Sequence, residues 1–196
     1  VYPRSLVDLG GTAGSDPVAT SIYDIQYTAD QGSGEDCYPS SLAGQVVIVS
    51  GIVTTVKSFS QYPNFFIQDP SLSEWGGVYV YVSESDALSV GDEVNFNALV
   101  EEYYGVTELT NITDLQVLSV GNTEVAVPIS TGDLGLACGA GEAYEGMFVE
   151  FSDVVVEEVV VFNEDISYII NDGTGATKIN DYFFNHCFNV SGWLYF

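Results

Sequence analysis

The chain carries one pattern twice, and this constrains its fold more than any other feature. Leu42-Ala43-Gly44-Gln45-Val46-Val47-Ile48-Val49-Ser50-Gly51-Ile52-Val53 returns about 102 residues later as Tyr144-Glu145-Gly146-Met147-Phe148-Val149-Glu150-Phe151-Ser152-Asp153-Val154-Val155. In each copy a glycine opens the run, apolar residues alternate, and a serine precedes a branched apolar stretch. The likeness continues in Phe65-Phe66-Ile67-Gln68-Asp69 against Tyr168-Ile169-Ile170-Asn171-Asp172. It continues again in Val94-Asn95-Phe96-Asn97-Ala98-Leu99 against Phe188-Asn189-Val190-Ser191-Gly192-Trp193. Two copies of one small β domain are the simplest source of such a repeat. Nothing after Phe196 matches Tyr104-Gly105-Val106-Thr107-Glu108-Leu109 of the first copy. The second copy is therefore expected to lack its last strand, leaving a sheet edge that needs a partner.

A chain of 196 residues accommodates two such domains. A hydrophobic content of 46% is ample for packed cores and excludes global disorder. Twenty-eight acidic residues face three basic ones, Arg4, Lys57 and Lys178, for a net charge of −25. Such a surface repels phosphate backbones and anionic lipid, which speaks against nucleic acid and membrane as partners, and it attracts divalent cations. The scarcity of lysine, with many Ser, Thr, Gly, Asn and Tyr, points to an extracellular or cell-surface protein. A chain that opens on Val1 is expected to be a processed product or a piece of a longer one. No run reaches the roughly 18 apolar residues of a membrane span. The richest, residues 154–162, is interrupted by Glu157-Glu158.

Period-2 alternation and turn residues divide the chain. Residues 1–41 read as an extended polar leader with one strand-like piece, Ile22-Tyr23-Asp24-Ile25-Gln26-Tyr27. Residues 42–119 form the first domain, with strands at 45–56 (bent at Ser50-Gly51), 64–69, 77–82, 93–103 and 106–110, and a flanking strand at 115–119. Residues 120–143 read as a linker, and 144–196 as the second domain, with strands at 147–162, 166–171, near 177–180 and at 188–196. No window predicts a helix longer than two turns. Five short strands, a long bent first strand and a gap between strands three and four describe an OB-fold, a small Greek-key barrel. An immunoglobulin-like sandwich would need about seven strands per copy. The expected fold is all-β: two tandem OB-fold-like barrels, the second incomplete.

Several segments strengthen this by resemblance. Ile22-Tyr23-Asp24-Ile25-Gln26, Leu42-Ala43-Gly44-Gln45 leading to Ser50-Gly51-Ile52-Val53-Thr54, Phe66-Ile67-Gln68-Asp69, Gly77-Val78-Tyr79-Val80-Tyr81, Val90-Gly91-Asp92 and Glu102-Tyr103-Tyr104-Gly105-Val106-Thr107-Glu108-Leu109 resemble the OB-fold modules that precede the catalytic domain of secreted bacterial nucleases. Similar modules occur in surface proteins of marine bacteria, and Tyr144-Glu145-Gly146-Met147 resembles the opening of their second module. The resemblance covers roughly residues 21–196 and implies fold more than function. The metal-binding acids and paired histidines of the nuclease catalytic domain have no counterparts here.

Little in the chain could carry catalysis. His186 is the one histidine, which rules out a His-based zinc triad. Its neighbour Cys187 would point to the opposite face of a strand. The aromatics of a single-strand-binding surface are present in Phe65, Phe66, Tyr79, Tyr81, Phe96, Tyr103 and Tyr104, but the basic groove that accompanies them is missing. Three cysteines permit one disulfide; Cys138 with Cys187 lie within one domain and are the expected pair, with Cys37 left over. Calcium takes six to eight oxygen ligands, and the candidates are Asp69 and Glu74, Asp165, Asp172 and Asp181. Asn111 and Asn189 head N-x-[ST] glycosylation patterns. The expected assembly edge is the last strand, with Phe188, Val190, Trp193, Leu194 and Phe196. Together these readings describe a non-enzymatic extracellular structural protein, a fibre or matrix subunit joined to copies of itself by head-to-tail strand donation, with calcium as the one cofactor expected. The alternative is an accessory OB-fold module of a secreted nuclease or related hydrolase.

Overall fold

The computed structural model describes residues 17–33, 36–56, 64–82, 88–136, 139–162, 165–180 and 193–195. In chain order the elements are β1 (Val18–Ala19), α1 (Ile22–Gln26), β2 (Gly32–Ser33), β3 (Asp36–Cys37), β4 (Val46–Val56), β5 (Phe65–Gln68), β6 (Gly77–Val80), β7 (Glu93–Tyr103) and β8 (Val106–Ser119) in the first half. They continue as β9 (Val127–Pro128), α2 (Thr131–Leu134), a 3-10 turn (Glu142–Tyr144), β10 (Phe148–Glu150), β11 (Val155–Phe162), β12 (Asp165–Asn171), β13 (Ala176–Asn180) and β14 (Trp193–Tyr195). The protein is mostly β.

The first half is built on β4. Its Val47, Val49 and Val53 are buried and alternate with outward Val46 and Ser50, the period-2 pattern of a strand with one face on a core. One edge of β4 pairs with β7 over Val46–Ile52; the end of the strand pairs with β5 over Ile52–Val56. β5 pairs with β6, β6 runs parallel to β8, and β8 returns antiparallel to β7, so the pairings make a closed circuit. Inside it lie Phe65, Ile67, Val78, Val80, Val94, Phe96, Ala98, Val100 and Leu109, with Ile22 and Ile25 of α1 packed against them. The Phe65 and Phe96 rings meet edge-on, 6.1 Å between centroids.

Several sequence expectations are corrected in this half. Ile22-Tyr23-Asp24-Ile25-Gln26 is a helix and not a strand. Ser21 caps it by accepting the Asp24 N–H at 3.1 Å, and its own hydroxyl donates to the Asp24 carboxylate at 2.6 Å. Ile22 and Ile25, three residues apart, then fall on one buried face. The irregularity in β4 lies at Val53–Thr55 opposite β5, and not at Ser50-Gly51, where the β7 pairing runs unbroken. Gly51 serves close packing instead: a Cβ there would stand 3.0 Å from the Ile67 Cβ and 3.1 Å from the Ile22 Cδ1. The strands expected at 106–110 and 115–119 are one strand, β8, with register shifts against β7 that absorb the extra residues.

The second half has a separate, smaller core of Leu134, Met147, Val149, Phe151, Ile170 and Ile179. The single strand expected over 147–162 is two strands in two sheets. β10 lies between β14 and β9, while β11 begins a three-stranded sheet with β12 and β13. Between β10 and β11, Asp153 takes a left-handed backbone with φ +56°, which breaks an extended run. The expected strands at 166–171 and 177–180 are found as β12 and β13. Of the last expected strand, residues 193–195 pair with β10, and the remainder lies outside the described residues. The linker is not free of structure, since β9 and α2 fall within it. No helix among the described residues is long and apolar enough to cross a membrane.

Candidate functional site

Two features stand out from the scaffold: an open strand edge in the second half and a polar junction between the halves. The edge is β11. It ends its sheet, with β12 on one side and no partner strand on the other among the described residues. Val155, Val156, Val159 and Val161 are all exposed, the first and last at 64%, so both faces of the strand are open from Val155 to Val159. A register shift between Val156 and Glu158 marks a bulge at the Glu157-Glu158 pair. An extended apolar edge of this kind is a template for another strand.

The junction rests on close backbone approach. A Cβ at Gly77 would run into the backbone of Gly146 and Met147, and a Cβ at Gly146 would stand 2.8 Å from the Val78 Cα. Gly146 also has φ +67°, so both positions need glycine. Around this contact the Phe148 N–H donates to Gln68 Oε1 at 2.7 Å, and the Trp75 N–H to the Ala143 carbonyl at 2.6 Å. Gln26 Nε2 donates to the Gly77 carbonyl at 2.7 Å. The Thr107 N–H donates to Glu145 Oε1 at 3.0 Å, a bond from β8 of the first half to the turn that opens the second.

Carboxylates crowd this junction. Burial, then the neighbouring Glu142 and Glu102, push Glu145 up to about 8, against the lowering effect of hydrogen bonds from Thr107 and Gln26. Burial and Glu102 push Glu142 up to about 7. Burial, then Glu101 and Glu102, raise Glu108 as well. Glu102 accepts the Ser40 N–H at 2.7 Å and the Thr107 hydroxyl at 2.8 Å, both on Oε1, while its Oε2 is buried and accepts no hydrogen bond from the described residues.

The residues chosen from sequence are scattered. Asp69 and Asp172 do occupy equivalent places, each directly after its strand, and each turns on the residue two further on. Asp69 Oδ1 takes the Ser71 N–H at 2.9 Å, and Asp172 Oδ1 takes the Thr174 N–H at 2.9 Å. Asp172 is also tied to the start of α2 through the Thr131 N–H and hydroxyl. The hydrogen bonds from Thr174, with those from Thr131, hold its carboxyl well below the usual carboxylate range. Among the described residues no group of three or more His, Cys, Asp or Glu is placed to hold a metal ion, so Asp69, Glu74 and Asp172 do not converge on one site. Asp181, His186, Cys187, Phe188, Asn189, Val190 and Phe196 lie outside the described residues, and Asp165, Trp193 and Leu194 are described as backbone alone. Asn111 is exposed, at φ +50° in β8. Of the seven aromatics, Phe65, Phe66 and Phe96 are core, whereas Tyr81, Tyr103 and Tyr104 are exposed. Tyr103 and Tyr104 stack edge-on at the β7–β8 turn, 4.7 Å between centroids.

The disulfide expectation is corrected. Cys37 is disulfide-bonded, so it is not the leftover cysteine. With three cysteines in the chain, that bond takes Cys138 or Cys187 and leaves no Cys138–Cys187 pair. Tyr38, beside Cys37, packs so close to Gly139 that a Cβ there would stand 3.0 Å from its ring. Non-reducing peptide mapping is therefore expected to recover a Cys37–Cys138 cross-link; a peptide with Cys138 bonded to Cys187 would count against it.

No family model matches the chain, and no curated protein does. Among solved structures it is similar to a putative aspartyl-tRNA synthetase from Leishmania major Friedlin, with TM-score 0.40 and 10% identity over 64% of this chain and 25% of that one. It is similar to the second OB-fold domain of replication protein A from Methanococcus maripaludis, with TM-score 0.31 and 13% identity over 41% of this chain and 91% of that one. A third likeness is to the tetrameric p202 HIN2, with TM-score 0.36 and 16% identity over 68% of each chain. The chain thus spans about a quarter of the synthetase's length.

Proposed function

We propose that this protein is a non-enzymatic extracellular assembly subunit, two tandem OB-type units that join copies of themselves head to tail by strand donation. The observation that carries the reading is β11, an eight-residue strand with one edge unpaired among the described residues and valines exposed along it. Strand addition at such an edge uses main-chain hydrogen bonds for affinity and alternate side chains for register. A contact from the start of one copy to the second half of the next is heterologous, and a heterologous contact that does not close on itself makes a filament.

The donor is the leader. Val1-Tyr2-Pro3-Arg4-Ser5-Leu6-Val7-Asp8-Leu9 is apolar enough to pair, and Arg4 balances Asp8 in a chain of net charge −25. Its formal charge is zero, so Glu157 and Glu158 on β11 repel it less than they would an acidic segment. Calcium enters as counter-charge between acidic copies, supported by composition.

The test compares three samples by sedimentation and negative-stain imaging: the full chain, a variant lacking residues 1–16, and the full chain carrying Val159→Lys with Val161→Lys on the exposed edge. The intact chain is expected to form filaments or large species, fewer with a chelator, and both variants to remain monomers with unchanged circular dichroism. Assembly undiminished in the variants, or an intact chain that stays monomeric at high concentration, would overturn strand donation and leave the accessory-module reading.

A further inference from the structure

We infer that an aromatic corner on the first half, built by Tyr23 and Tyr27 of α1 and Trp75 of the β5–β6 loop, binds an arginine side chain presented by a basic partner polypeptide. The site stands apart from the β11 edge and does not rest on the assembly reading. The Tyr23 and Tyr27 rings are stacked, 10° from parallel and 5.1 Å between centroids. The Tyr27 and Trp75 rings stand at 88°, 5.5 Å between centroids. The three rings make one aromatic surface with a right-angle turn in it. That surface is open: Tyr23 is 38% and Tyr27 45% exposed, and Trp75 is half-buried. Residues four apart share a helix face, so both tyrosines lie on the outer side of α1 while Ile22 and Ile25 take the inner. A tyrosine pair alone would be ordinary helix packing. Trp75 is different, because at φ +58° it holds a left-handed backbone that bulky side chains rarely enter. Hydrogen bonds on both sides keep it there: the Trp75 N–H donates to the Ala143 carbonyl at 2.6 Å, and the Asp69 N–H to the Gly76 carbonyl at 2.8 Å. Strain maintained at a half-exposed indole beside exposed tyrosines points to a ring held ready for a ligand.

Charge selects the ligand. Asp24, between the two tyrosines on α1, is exposed, and so is Glu74, the residue before Trp75. Tyrosine and tryptophan faces attract cations through the ring quadrupole. The flanking carboxylates add to that attraction, and a net charge of −25 draws cationic partners to the surface. A guanidinium meets both demands at once: it stacks flat on an aromatic face while its N–H fork pairs with a carboxylate. An ammonium is a more strongly hydrated point charge without a plane to stack. A neutral sugar ring would use the aromatic faces but gain nothing from the acids' charge. The one basic residue among those described is Lys178, on β13 of the second half, so the chain supplies no arginine to the corner from its described residues.

Calorimetric titration of the full chain at about 0.15 M salt tests it, with a capped peptide of alternating arginine and glycine and its lysine counterpart of equal charge as probes. The arginine peptide is expected to bind at least about fivefold more tightly than the lysine peptide, and to change the tryptophan fluorescence. Tyr27→Leu and Trp75→Gly are each expected to weaken it about fivefold or more and to remove the preference for arginine. Glycine suits φ +58°, so Trp75→Gly removes the ring without disturbing the loop. Asp24→Asn with Glu74→Gln should weaken the arginine peptide as well. Asp114→Asn, which neutralises an exposed acid on β8, should leave binding within about twofold of the wild type, since one distant surface charge is largely screened. Equal affinities for the two peptides, or ring variants that bind as the wild type does, would reduce the effect to general charge attraction and overturn the site. Tighter peptide binding by Arg4→Gln would mean that the leader's own arginine fills the corner, which overturns an outside partner. A neutral oligosaccharide, cellohexaose, that binds and is lost in Tyr27→Leu while arginine shows no preference would make this a sugar site instead.

Discussion

Replacing Gly77 by valine is expected to part the two halves and to cost at least about 3 kcal/mol, at the upper end of what overpacking does to a core. The reason is the identity of the atoms in the way. A Cβ at Gly77 meets the backbone of Gly146 and Met147, and backbone cannot move aside as the end of a side chain can. Backing away would break the Trp75–Ala143 bond, the Gln68–Phe148 bond and the Thr107–Glu145 bond together, because all three cross the same seam. Gly146→Ala carries a second penalty, since φ +67° is strained for any residue with a Cβ. Denaturant unfolding, followed by far-ultraviolet circular dichroism and by the fluorescence of Trp75 at the seam, gives the readout. The variant should show two transitions where the wild type shows one. A Gly77→Val protein that unfolds in a single transition at the wild-type midpoint would mean that the seam is not what couples the halves.

Neither glycine announces this role in the sequence. Each sits where a turn or a strand start would place one, and a contact between residues 77 and 146 leaves no local trace. The carboxylates have the same problem. Glu102, Glu142 and Glu145 are three among 28 acids, and only the fold brings β7 beside the turn that precedes β10. What alternation could reveal, it did: β4 and β7 fall where the period-2 pattern places them, because one face of each is buried, whereas β5, buried at all four residues, was legible as a short apolar run between turns. The helix α1 was legible too, through Ser21 three residues ahead of Asp24 and the Ile22–Ile25 spacing, but in so short a segment the same residues also fit a strand. The break at Asp153 had no such cue. A non-glycine residue held at positive φ is set by its surroundings, and the repeat with β4 argued for a continuous strand. The open edge was anticipated at the last strand, where β14 ends its sheet beside β10 and the rest of the segment lies outside the described residues; the edge with exposed valines on β11 was not anticipated.

Val47→Asp is expected to unfold the first half, whereas Val46→Asp, one residue away, is expected to change its stability by less than about 1 kcal/mol. Val47 is 3% exposed and faces the core with Val49 and Val53, while Val46 is 48% exposed on the outer side of the same strand. An aspartate at position 47 would be an unpaired charge among Phe96, Ala98 and other apolar side chains of that core. Burying it without a partner costs several kcal/mol, comparable with the whole stability of a domain, unless the carboxyl protonates. Protonation gives the expectation its second edge. The Val47→Asp protein should recover part of its structure in acid, where the carboxyl is neutral, and lose it again near neutrality. Ile52 lies between the two cases, half-buried at the point where β4 passes from β7 to β5, and Ile52→Asp should fall between them. Circular dichroism and denaturant midpoints for the three variants would measure the face assignment of β4 residue by residue. Equal losses at positions 46 and 47 would mean that the strand does not present one face to a core, and the closed circuit of pairings around it would have to be redrawn.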